Sequence, residues 1–130
     1  MLKLYRLCAI TLLSMFLCSC GASEPIASSK AIMNTEKAIE IGENYIKGDL
    51  SSNDAKTQLA DILSNMKYAK DYSLEEKNAD TTKNADYYLQ FYISLFESNL
   101  SVDGIINDAD TFDNVIESLD KLKDEYDRYS

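Results

Sequence analysis

Apolar positions along most of this chain recur at alternating steps of three and four, the spacing that gathers them on one side of an α-helix. The cleanest run lies near the C-terminus, where Phe112, Val115, Leu119, Leu122, Tyr126 and Tyr129 form a seam that Ile116 widens. Asp110 or Thr111 stands where the N-cap of that helix is expected. A second stripe, Ile32, Thr35, Ile39, Gly42 and Ile46, predicts a helix from Ser28 or Ser29 to Lys47, stopped at Gly48. Gly42 within it costs about 1 kcal/mol against alanine, so another helix is expected to approach closely there. Ala55, Leu59, Ile62, Leu63, Met66 and Ala69 line a third helix, begun by a capping-box-like Ser51–Asp54 pair and ending near Lys67 and Lys70. Only Asp49 to Ser52 separates it from the helix before, which makes the two an antiparallel hairpin.

The remaining segments are less regular. Tyr87 to Phe96 alternates like a strand at Tyr87, Leu89, Phe91, Ile93 and Leu95, yet Asp86, Gln90, Ser94 and Glu97 form a narrow polar stripe at helical spacing. No other stretch offers a strand partner, and a lone strand leaves its backbone groups unpaired. A helix follows, apolar nearly all round and therefore the most buried. Asp71 to Lys83 is polar and predicts a loop, within which Lys77–Asp80 is echoed by Lys83–Asp86. Asn99 to Ala109, with Gly104 and a short turn holding Ile105 and Ile106, predicts a chain reversal. The expectation is an all-α fold, about four helices in a small antiparallel up-and-down bundle over residues 30–130. A three-helix core with one displaced helix is the alternative.

The N-terminus has a different pattern. Lys3 and Arg6 precede an apolar run from Leu7 to Leu17. That run spans only ~17 Å as a helix, about half a bilayer's hydrocarbon core, which suits the apolar part of an export signal. It closes on Leu17-Cys18-Ser19-Cys20, which resembles the lipobox of bacterial lipoproteins over residues 1–21. The resemblance implies cleavage between Ser19 and Cys20, removal of residues 1–19, and a diacylglycerol thioether with palmitate on Cys20. Bulky Phe16 and Leu17 ahead of Cys18 make that cysteine a poor rival. Residues 20–29 then read as the lipidated cysteine and a flexible tether, and the chain is expected on the extracytoplasmic face of a bacterial membrane, held by its lipid.

Composition narrows the function. The 130 residues carry a net charge of −9, and loss of Lys3 and Arg6 with the signal takes it to −11. Such acidity excludes nucleic acid, which needs basic surface, and disfavours lying flat on an anionic leaflet. Cys8, Cys18 and Cys20 are the only cysteines, so the mature chain has no disulfide to lean on. Histidine and tryptophan are absent. That removes the usual general base, the Ser-His and Cys-His pairs and imidazole-ligated metals. No cofactor is expected.

Three groups of side chains invite a chemical reading. Asp103, Asp108, Asp110 and Asp113 cluster, but Phe112, Asp113 and Leu119 break the calcium-loop pattern, so helix capping is expected instead. Tyr87, Tyr88, Tyr92, Tyr126 and Tyr129, with Phe91 and Phe96, are expected mainly in the core; any left exposed together would mark an interface. Asp61 with Asn65, and Glu36 with Glu40, sit one turn apart on outward faces with no apolar pocket to raise a carboxyl pKa. The expected function is a non-enzymatic binding module for an envelope partner, a basic protein or peptide drawn by charge, for example in an inhibitor or immunity role. A structural spacer, or an enzyme using carboxylates or tyrosine, are the alternatives.

Overall fold

The computed structural model describes residues 26–67, 71–78 and 81–130. The apolar run Leu7–Leu17, the Leu17–Cys20 motif with its expected cleavage after Ser19, and the tether up to Pro25 lie outside the described residues. Among the described residues all regular structure is helical: α1 (Ser29–Lys47), α2 (Ser52–Ser64), α3 (Leu74–Asn78), α4 (Thr82–Ile106) and α5 (Ala109–Tyr129). None of these helices is long and apolar enough to cross a membrane.

Local chemistry explains the boundaries. Ser28 caps α1 by accepting the Ala31 N–H, and Gly48 ends it in the left-handed conformation at φ 82°, its N–H reaching the Asn44 and Tyr45 carbonyls. Ser51 caps α2 by accepting the Asp54 N–H at 3.1 Å. The tight link folds α1 and α2 back on each other, as expected. Helix α4 packs on each of the other four helices, with α2 and α5 on opposite flanks of the α1–α4 pair. Leu59, Ile93, Phe96, Leu100, Leu119 and Leu122 fill the centre. Gly42 is the point of closest approach: a Cβ there would lie 2.7 Å from Leu119 Cδ1 and 2.8 Å from Phe96 Cζ. At the end of the bundle where the described residues begin, the Ala27 N–H donates to the Tyr129 carbonyl at 2.9 Å. Ser28 there donates through its N–H and its hydroxyl to the two Asp86 carboxylate oxygens, each at 2.7 Å.

Four boundaries differ from the sequence expectation. Helix α2 stops at Ser64, because the Ser64 hydroxyl and the Asn65 amide both donate to the Asp61 carbonyl and compete with further helix. Lys67 therefore lies beyond the helix end and pairs with Glu76 at 3.3 Å, while Ala69 and Lys70 fall outside the described residues. The polar segment after Asp71 holds the short α3, built on a capping box in which Ser73 Oγ accepts the Glu76 N–H and Glu76 accepts the Ser73 N–H.

The reversal placed around Gly104 is instead at Asn107 (φ 52°), and α4 runs through to Ile106. Gly104 lies within the helix, where a Cβ would collide with the Ser52 hydroxyl. It marks a helix contact, as Gly42 does. The N-cap of α5 is Asp108, two residues before Asp110. Thr111 is the other half of that capping box, its N–H donating to Asp108 Oδ1 at 2.8 Å and its hydroxyl accepting the Asp108 N–H at 3.2 Å.

Candidate functional site

The exposed side of α4 is unlike that of the other long helices. Its inward arc buries Ala85, Leu89, Ile93, Phe96 and Leu100 completely. Gln90, expected in a polar stripe, is buried with them at 1 % exposure, and Asp86 is engaged by Ser28. The polar stripe thus faces neighbouring helices. What faces solvent is Tyr88, Phe91, Ser98, Val102 and Ile105, with the half-buried Leu95 completing the steps of three and four and Ile106 beside them. Tyr88 and Phe91 are 36 % and 42 % exposed, Val102 45 %, Ile105 83 % and Ile106 55 %.

Between residues 87 and 106 the only charges are Glu97 and Asp103. At about 100° per residue both project from other arcs of the helix, and Asp103 is buried. The outward face therefore runs about five turns without a charge. By contrast α5 exposes Asp113, Glu117, Asp120, Asp124 and Asp127, and α1 exposes Glu36 and Glu40. A contiguous apolar strip on the surface of a small acidic protein costs solvation free energy unless something covers it.

The half of this strip nearer Ala27 is continuous with a ladder of aromatic rings. Tyr72 meets Tyr87 edge-on at 5.4 Å, Tyr87 meets Tyr88 at 5.3 Å, and Tyr88 stacks on Tyr129 at 6.2 Å. Phe91 extends the ladder, 6.4 Å from Tyr87 and 5.4 Å from Tyr92. All five separations suit favourable ring pairs. Lys67 sits 4.7 Å above Tyr72, Lys77 5.7 Å above Tyr87 and Arg128 5.3 Å from Tyr129, adding cation–π attraction. Burial, followed by the charges of Asp86 and Glu76, pushes the Tyr72 hydroxyl up to about 12.

The fold thus brings together Tyr87, Tyr88, Phe91, Tyr92 and Tyr129 of the expected aromatic set. Phe96 lies in the core, and Tyr126 stands apart with its hydroxyl donating to Glu36 at 2.6 Å, a bond that raises its pKa. Sequence reading missed Tyr72. The Ser73–Glu76 capping box beside it was the available clue.

The acid cluster disperses. Asp103, 2 % exposed, accepts from the Tyr45 hydroxyl and from the Thr111 hydroxyl, the latter at 2.7 Å; Asp108 caps α5; Asp110 and Asp113 face solvent. Burial, then the Asp103 hydrogen bond and charge, raises the Tyr45 hydroxyl to about 12. Both Asp103 oxygens are occupied, so this is a lock between helices. Among the described residues no three acidic side chains converge to hold a metal ion. Glu36 is occupied by Tyr126, and Asn65 bonds the Asp61 backbone, so neither one-turn pair forms a facing carboxyl couple. A polar cleft of about 200 Å³ opens beside Ser28, Asn34, Lys67 and Asp86, where the buried Asn34 Nδ2 has no partner.

Comparison with protein-family models, curated proteins and solved structures finds no match to this chain.

Proposed function

We propose that this protein is a lipid-anchored, extracytoplasmic binding module without chemistry of its own, and that the outward face of α4 is its protein–protein interface. The observation that carries this reading is the charge-free strip from Tyr88 to Ile105 in a chain of net charge −9. Interface centres are depleted in charge and enriched in Tyr, Phe and Met, and the tether-side half of the strip has that composition. The carboxylates on α1 and α5 flank it with negative potential, which leaves the strip as a face that a partner covers without desolvating charge.

The anchor part rests on Leu17-Cys18-Ser19-Cys20, with Cys20 as the lipid-bearing residue at the end of a tether that meets the bundle at Ala27. The decisive experiment is crosslinking and co-purification of the lipidated protein from its own membrane, with Phe91→Glu as the control. A stoichiometric protein recovered by wild type and lost in Phe91→Glu supports the reading. Equal recovery by both rejects the α4 face, and no recovery at all supports a spacer.

A further inference from the structure

The α4 strip is complementary to itself. Taken as a heptad seam, Tyr88, Leu95 and Val102 occupy one class of core position and Phe91, Ser98 and Ile105 the other. When two such helices run antiparallel, each position of one class faces a position of the other class on the second copy. The layers are then Tyr88 with Ile105, Phe91 with Val102, and Leu95 with Ser98, each repeated by the two-fold axis. Every layer sets a larger side chain against a smaller one, and Ser98 near the axis lets the backbones come close. A parallel pair would instead place Ser98 against Ser98 at mid-seam and Tyr88 against Tyr88 at one end, leaving a gap beside a crowded layer.

From this we infer that the outward face of α4 seats a second copy of the same chain, as an antiparallel two-fold dimer. The inference rests on the reading of that face as an interface and names its occupant. Charge selects the same geometry. Two copies of so acidic a chain repel each other. Facing carboxylates on α1 or α5 would have to be desolvated together, whereas the α4 strip brings none into the seam. A basic segment, the other natural occupant, finds no acid within the strip to pair with. The acid-rich faces of α1 and α5 stay outside the seam. An isologous contact also closes on itself, so the strip is covered without chain growth into fibres.

The test uses the full chain in mild detergent. Tyr88→Cys/Ile105→Cys, oxidised, forms disulfide dimers several-fold above either single variant and above wild type. The two positions are ~26 Å apart along one helix, so no disulfide joins them within a copy. Sedimentation gives a dimer for wild type and a monomer for Val102→Glu, with unchanged helical circular dichroism. A single Tyr88→Cys variant that crosslinks as well as the double overturns the antiparallel arrangement. A monomeric wild type overturns the dimer. If that monomer still loses a foreign protein in Phe91→Glu, the face remains an interface and only the occupant assigned here is wrong.

Discussion

Tyr45 and Asp103, 58 residues apart in the chain, meet at the end of the bundle opposite Ala27, where the Tyr45 hydroxyl donates to a carboxylate that is almost fully buried. Thr111 supplies the second donor from the first turn of α5, so one side chain ties three helices together. Tyr45→Phe leaves one Asp103 oxygen unpaired in a buried site. The expected loss is about 1–3 kcal/mol of stability, read as a lower urea midpoint at unchanged slope.

Burial of two tyrosines, reinforced at Tyr45 by the same bond, makes the fold sensitive to alkali. The Tyr45 and Tyr72 hydroxyls stand at about 12 against an ordinary value of 10.0, so the unfolded chain gives up those protons first. Stability from these groups is complete below pH 10 and is lost as pH rises from there toward 12. Glu76 behaves in the opposite sense. The Ser73 N–H, then Lys83 and Lys67, hold it at about 2 against 4.5, so its contribution is present above pH 4.5 and lost as pH falls toward 2. Thermal melts across both ranges check this. Tyr45→Phe flattens the alkaline limb and Glu76→Gln the acid limb.

Gly42→Ala sets two effects against each other. Helix propensity gains about 1 kcal/mol. The new methyl, though, meets Leu119 and Phe96 inside contact distance in a filled core, and overpacking of this kind costs about 1–3 kcal/mol. The expected net runs from no change to a loss of about 2 kcal/mol. A midpoint that rises on denaturation would show that the core yields there.

How far these features were legible depends on which kind of residue carried them. Ser28, Gly48, Ser51 and Gly42 act through local backbone and close-approach rules, and all four were readable from spacing alone. Gly104 was misread because a glycine that admits a neighbouring hydroxyl and a glycine that turns the chain look alike in sequence. That error cut α4 short and hid the strip, whose last members, Val102 and Ile105, fell in the supposed turn. The strip was hard to see for a second reason. A helix apolar on nearly every side gives periodicity no means to tell which arc meets the core, and the buried Gln90 and Asp103 sit where polar residues usually mark solvent. The aromatic ladder needed Tyr72, which sits next to a single-turn helix too short for any periodic pattern.

The lipid anchor has its own test. Palmitate labelling is expected to vanish in Cys20→Ala and persist in Cys18→Ala, with the Cys20→Ala chain released from the membrane fraction. Labelling that follows Cys18 would move the cleavage site and shorten the removed segment.

The claim that the outward face of α4 is an interface is tested most directly by photocrosslinking in membranes, with a benzophenone side chain at Phe91 or Val102 and, as control, at the exposed Glu40 of α1. Discrete protein adducts from the two α4 positions and none from position 40 are predicted. Adducts equally abundant at all three positions, or absent from both α4 positions while present at 40, contradict it.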